Sequence, residues 1–328
     1  MSSKPLPGIP IDSGLLAEPN GAEDETLQPA CVLVFNANDA SGAGGLAGDV
    51  TSIASVGAHA LPIVTGAYLR DTREISGHVA FDDEAVDDQA RSVLEDVQVA
   101  VIKVGFVGTP SNLAVIAEIA SDYEELPLVC YLPDLSWWDE PEIDAYQDAL
   151  EELLLPQTTV LVGNHSTLRR WLLPDWDGSK TATARDIARA AQAFGVPYTL
   201  VTGIVLPDQF IDNVLATPES VLCSAKFERF EAVFTGAGDT LSGALAALIA
   251  SGSALPEAFN EALTYLDRSL NGGFRPGMGQ VIPDRLFWAN SDADDPGDTL
   301  DETSDDALDD DDRTSQSLLD LPAPDTKH

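Results

Sequence analysis

The segment "TGAGDT" at 235–240 sets small residues against a single acid. It opens the small, apolar run "LSGALAALIA" (241–250), whose composition predicts a helix. Gly236, Ala237 and Gly238 have little or no side chain, so the backbone there can approach a ligand closely. The first N–H groups of such a helix have no internal partner, and with the helix dipole they form an anion site. That chemistry suits a phosphate, or the charge that develops as a phosphoryl group moves. Asp239 then has two readings. It is an N-cap accepting backbone N–H groups, worth about 1 kcal/mol, or a base that takes the proton of an attacking hydroxyl.

A second glycine loop, "DASGAGGLAGD" (39–49), follows an apolar strand signal and opens another helix. Gly42, Gly44 and Gly48 are spaced G-x-G-x-x-x-G, one residue away from the dinucleotide fingerprint. "ALPIVTG" (60–66) closes on Thr65 and Gly66 rather than on the acid a ribose would need. No G-x-x-x-x-G-K-[ST] occurs, which removes a P-loop. His59, His78, His165 and His328 do not pair at metal-ligand spacing, and neither Ser41 nor Ser242 has a histidine placed for a triad. His165 reads as a polar loop residue, and Arg169 and Arg170 as partners of nearby acids rather than a phosphate patch. Trp137 and Trp138 follow a strand end; packing accounts for them, with a roof over the site or a subunit contact as alternatives.

The elements that must position these residues alternate in type. Strand signals fall at 31–36, 60–66, 99–107, 126–133, 158–164 and 197–203. Helical signals fall at 45–57, 82–97, 111–123, 142–155 and 183–195, the last ended by Gly195. A polar stretch separates 66 from 82, and 210–230 reads as an antiparallel hairpin around "TPES". A helical pair, 239–252 and 256–271, closes the pattern. Strand and helix alternating at this spacing predict an α/β fold with a mostly parallel sheet covered on both faces. In such a sheet ligands sit beyond the carboxyl ends of the strands, so "NANDASGAGG", "TGAYLRDT", "GFVGT", "GNHST", "TGIVLPD" and "TGAGD" should converge there.

The chain of 328 residues has a formal net charge of −38, from 17 basic and 55 acidic residues. That balance argues against nucleic acid or an anionic membrane as partner. No apolar run approaches the length that spans a bilayer, and no basic segment followed by an apolar run marks a signal peptide. Cys31, Cys130 and Cys223 lie apart in or beside apolar runs, as buried thiols in a reducing cytoplasm would. Residues 1–29 read as a disordered leader, and 291–328, with 14 acids against Arg313 and Lys327, as a disordered tail. Residues 30–290 between them form one domain.

"NANDASGAGGLAGDVTSIASVGAHALPIVTG" (36–66), "IKVGFVG" (102–108), "TGAGDT" and "FRPGMGQVIPDRLFW" (274–288) together resemble the hydroxymethylpyrimidine/phosphomethylpyrimidine kinases of thiamine biosynthesis. These belong to the ribokinase-like superfamily. The resemblance covers roughly 31–288 and implies a three-layer α/β/α sandwich with a mostly parallel central sheet. It implies phosphorylation of a small pyrimidine alcohol or its monophosphate, with ATP and Mg2+, by a homodimer in the cytoplasm. Ala37, Asp49, Arg70 and Phe106 would line the pyrimidine pocket, with Asp49 accepting from the ring amino group and Phe106 against the ring. Asn164, Thr202 and Gly203 would lie near the nucleotide. Gly236, Ala237 and Gly238 would form the anion hole and Asp239 the base. Four positions depart from the family pattern. Asp239 stands for its usual Cys, Thr167 for the Glu that helps hold magnesium, Thr202 for a Lys and Arg70 for a Gln. Arg70 could instead meet a phosphate already on the substrate. A pyridoxal or other small-molecule kinase of the same fold, and a non-catalytic pyrimidine-binding protein, remain as alternatives.

Overall fold

A computed structural model describes residues 28–177 and 180–289. Almost all of the expected leader, and the whole expected tail, lie outside the described residues. Six strands run parallel in the centre of a nine-stranded sheet. They are β1 (Cys31–Asn38), β2 (His59–Arg70), β4 (Val99–Val104), β5 (Leu128–Leu132), β6 (Val160–Asn164) and β7 (Tyr198–Val205). β3 (Ile75–Ala80) pairs antiparallel with β2 at one edge. β8 (Phe210–Ala216), antiparallel to β7, and β9 (Val221–Glu228), antiparallel to β8, add the expected hairpin at the other. The strand order is β3-β2-β1-β4-β5-β6-β7-β8-β9. The chain leaves β1 for β2 on one side and returns as β4 on the other, so a crevice forms at the ends of β1 and β4.

The period of two in the strands explains the layers. Leu33, Phe35, Ile102, Val104 and Leu161 face one way and pack on α2 (Asp83–Leu94), α3 (Pro110–Asp122), α4 (Glu140–Ala149), α5 (His165–Leu172) and α6 (Ala184–Gln192). Val32, Val34, Val101, Val129 and Val162 face the other way. They pack on α1 (Gly45–Ser55), α7 (Ala237–Ala250) and α8 (Leu255–Asn271). The result is the expected three-layer α/β/α sandwich. Small residues at Ala244, Ala246 and Ala247 let α7 lie close to the sheet.

Four local readings change. The stretch after residue 66 is not a polar connection: β2 continues to Arg70, and Asp71 turns the chain into β3 by accepting N–H bonds from Arg73 (2.7 Å) and Glu74 (3.0 Å). The helix expected at 142–155 ends at Ala149, and the chain runs on through a wide turn at Leu150–Leu154 and a 3-10 turn at Leu155–Gln157. Pro156 explains the break, since it has no N–H to give. His165, read as a loop residue, instead opens α5, started by Asn164, whose side chain accepts the Ser166 N–H at 3.0 Å. Of the three thiols only Cys130 is buried; all three are free.

Candidate active site

The first glycine turn is built by its acid. Asp39 accepts the N–H groups of Ser41 (2.9 Å) and Gly44 (3.0 Å) and pairs with Arg70 at 3.3 Å. The second turn has Gly236 in the left-handed region, φ 85°, just before α7. A side chain at Gly236 would overlap the Ala43 carbonyl, so the two turns touch through bare backbone. Arg285 then clips them together. Its guanidinium donates to Gly42 O (3.1 Å), Ala43 O, Gly236 O (3.4 Å) and Thr240 Oγ1 (2.9 Å). Burial disfavours its charge, with the Asp239 carboxylate the largest support in return.

Asp239 does not cap its own helix, for α7 has no side-chain cap at Gly236. Its Oδ2 instead accepts the Gly45 N–H, at the start of α1, at 3.0 Å. Its Oδ1 accepts Asn36 Nδ2 at 3.0 Å and lies 3.6 Å from Lys103 Nζ. Asn36 reaches the site because β1 carries a bulge at Asn36/Ala37, and bulges re-aim side chains. Beneath lies Asp49, 2.7 and 2.8 Å from Lys103 Nζ and 2.8 Å from Asn36 Nδ2. Lys103 and Asp49 are fully buried, while the Asp239 side chain keeps 15 % of its surface. Burial raises the Asp49 carboxyl to about 6, against the pull of Lys103.

A cleft of about 630 Å³ opens above this network. Gly44, Gly45, Gly236 and Asp239 form one side, and Tyr68, Arg70 and Trp137 another. Tyr68 stacks on Phe106 with ring centroids 5.4 Å apart, and Trp137 meets both rings edge-on. The wall is therefore flat and apolar, as a heteroaromatic ring requires. A Cβ at Gly238 would overlap the Tyr131 phenol, which packs directly on the first turn of α7. The segment 274–285 closes the end of the cleft: Thr235 N–H donates to Val281 O at 2.9 Å, and Gln280 N–H to Thr72 O at 2.8 Å.

Of the four expected pyrimidine positions, only Arg70 lines this cleft. Ala37, Asp49 and Phe106 are buried under its floor and wall. Phe106 backs Tyr68, and both side-chain partners of Asp49, Asn36 and Lys103, are buried, so Asp49 reaches the cleft only through them and Asp239. The expected nucleotide residues share the ends of β6 and β7, where Asn164 pairs in register with Thr202. Asn164 and Gly203 line a second cleft, of about 970 Å³, with Ile204, Ile211, Arg185 and Arg229. Thr202 instead donates its hydroxyl to Gly163 O at 3.3 Å. His165 also lines this cleft, its ring against Ala182 O at 2.7 Å. Arg170 pairs with Asp134 at 2.7 Å, as expected.

Sequence reasoning missed Asn36, Tyr68, Lys103, Tyr131 and Arg285. Two had a signal. Lys103 and Tyr131 interrupt apolar runs covered on both faces, and a buried ion or hydroxyl there needs a partner or a ligand. Arg285 had none, because its partners, three backbone carbonyls and the Thr240 hydroxyl, lie far away in sequence.

Pyridoxal kinase from Bacillus subtilis, solved as an ADP complex, superposes with a TM-score of 0.70 at 19% identity, over 80% of this chain and 99% of that one. Phosphomethylpyrimidine kinase from Clostridium difficile 630 gives a TM-score of 0.58 at 19% identity, over 72% and 99%. The fold is thus that of the ribokinase-like small-molecule kinases. In sequence, hydroxymethylpyrimidine/phosphomethylpyrimidine kinases of Streptomyces coelicolor and Mycobacterium leprae are 26% and 28% identical. The matches cover 80% and 79% of this chain and 96% and 95% of theirs. The phosphomethylpyrimidine kinase family model matches residues 39–284, and the chain belongs to that family. It is a phosphotransferase. No helix among the described residues is long and apolar enough to cross a membrane.

Proposed function

We propose that the protein phosphorylates 4-amino-5-hydroxymethyl-2-methylpyrimidine, its monophosphate, or both, with ATP, in thiamine biosynthesis. The observation that carries this reading is Asp239: a carboxylate open to the cleft, at the first turn of α7, opposite an aromatic wall. Tyr68 and Trp137 hold the ring and exclude water from its faces. Asp239 accepts the proton of the attacking oxygen, using a lone pair its present partners leave free. Gly45 N–H, Asn36 and Lys103 hold the carboxylate in place and stabilise its charge until then. The N–H groups at 237–239 face the charge that moves with the phosphoryl group. Arg70 stands at the cleft with Asp39 as its counter-ion, suited to a substrate phosphate.

The second cleft fits a nucleotide. Ile204 and Ile211 offer an apolar wall, and Arg185 and Arg229 offer cations in a protein short of them. Magnesium is different. Thr167 is buried on α5 and no group of three or more His, Cys, Asp or Glu side chains is assembled among the described residues. The residues present do not build a magnesium cage, and Mg2+ enters in our reading with the nucleotide phosphates and its own waters.

The test is ADP release from Mg-ATP with the pyrimidine alcohol, its monophosphate or pyridoxal. Turnover of either pyrimidine supports the proposal; turnover of pyridoxal alone, or binding without turnover, refutes it. Asp239→Asn should lower kcat by about 10²–10⁴-fold with little change in KM.

A further inference from the structure

We propose that the hydroxyl of Tyr131 is an additional catalytic donor, hydrogen-bonded to the phosphoryl group in flight. The inference rests on the phosphotransfer reading above. Tyr131 lies in β5, whose carboxyl end stands beside the first turn of α7. Its phenol packs on Gly238, where only a missing side chain allows it. It lines the cleft together with Asp239, Gly236 and Thr235. The hydroxyl makes no hydrogen bond among the described residues, although the phenol is largely enclosed. The hydroxyl is not sealed in the core but opens on the cleft, so an atom of a ligand lying beside the first turn of α7 can reach it.

The surroundings decide which form the phenol takes. Burial and the carboxylates of Asp239, Asp49 and Asp134 hold its proton on, well above the ordinary tyrosine range. Lys103 Nζ lies over the ring, 5.7 Å from its centroid, and steadies it as a cation–π partner. Tyr131 is therefore a neutral, preorganised O–H donor. It gives up no proton in the reaction. The bond from the γ-phosphorus to the ADP oxygen breaks, the bond to the substrate oxygen forms, and that oxygen's proton passes to Asp239. Through these changes Tyr131 donates to one equatorial oxygen of the moving group, beside the N–H groups of α7.

Tyr131→Phe removes only the hydroxyl, keeping the ring's own contacts with Gly238 and the cation–π contact. In the full chain, kcat for the pyrimidine should fall about 100-fold while KM changes little, the mark of a group that acts in the transition state. A second readout does not need the pyrimidine. Affinity for Mg-ADP should be unchanged, but affinity for Mg-ADP with aluminium fluoride, which imitates the moving group, should fall at least about tenfold. A merely structural tyrosine would weaken both equally. A Phe variant with kcat within about twofold of wild type, or faster, overturns the inference, the latter marking the phenol as a plug. Equal aluminium fluoride affinity in the two proteins overturns it as well. If wild type fails on every pyrimidine, the proposed substrate falls, while the aluminium fluoride comparison still judges Tyr131.

Discussion

Replacing Arg285 by Met tests whether the two glycine turns are held by one side chain. Met keeps an apolar stem of similar reach and removes the guanidinium. Three bonds are lost at good or fair geometry, to Thr240 Oγ1 at 2.9 Å, to Gly42 O at 3.1 Å and to Ala43 O, with a weaker one to Gly236 O at 3.4 Å. A hydrogen bond to a charged group contributes about 1.5–3 kcal/mol, so simple addition over three gives roughly 5–9 kcal/mol. Bonds in one network do not add, and water can reach Gly42 O, so about 3–5 kcal/mol is the better figure. The stem itself is anchored, for Arg285 O accepts Ser55 Oγ at 2.8 Å and Tyr265 Oη at 2.9 Å, so the backbone should stay and the turns should loosen. Urea unfolding followed by fluorescence measures the loss, and kcat should drop by about 10²-fold as the anion hole shifts. Arg285→Lys should fall between, since one ammonium cannot span a fork of carbonyls. An Arg285→Met protein within about 0.5 kcal/mol of wild type and fully active would refute the clip.

Gly238→Ala places a methyl group on the Tyr131 phenol, so the ring must swing away from α7. Activity should fall by at least about 10²-fold, with a stability loss of about 1–3 kcal/mol from overpacking, read by single-turnover kinetics and thermal unfolding. Asp49 gives a pH prediction. Its carboxyl releases a proton near 3.8 when unfolded and at about 6 when folded, so the folded state holds the extra proton between these values. Its contribution is complete below pH 3.8 and is lost as pH rises to about 6, by at most about 3 kcal/mol at 1.36 kcal/mol per pH unit. Asp49→Asn should remove that fall, seen as a difference between the two stability curves over pH 4–6; parallel curves would refute it.

The layers of this protein were legible because they depend on local pattern. Short apolar runs such as "CVLVFN" between turn signals read as strands covered on both faces, and the strand period of two sends Val32 and Leu33 to different helical layers. The glycine turn before α7 was legible for the same reason, since a helix start carries its own orphan N–H groups wherever it lies. Elements with weak local signals were lost. β3 is a half-exposed edge strand with Gly77 in it, and α5 is short, with its start set by the Asn164 side chain.

What Asp239 does was not legible in the same way. By itself the motif allowed a helix cap or a base. The sequence alone determined that an acid stands at a glycine-flanked helix start in an α/β sandwich. Only the tertiary structure decided that its carboxylate caps α1 instead of α7 and shares Asn36 and Lys103 with the buried Asp49. It likewise decided that Ala37, Asp49 and Phe106 support the cleft from beneath, while Tyr68, Trp137 and Tyr131 form its surface. The physical reason is distance along the chain. Local conformation follows from neighbouring residues, but which side chain of a buried cluster faces the open space depends on how strands far apart in sequence are laid side by side.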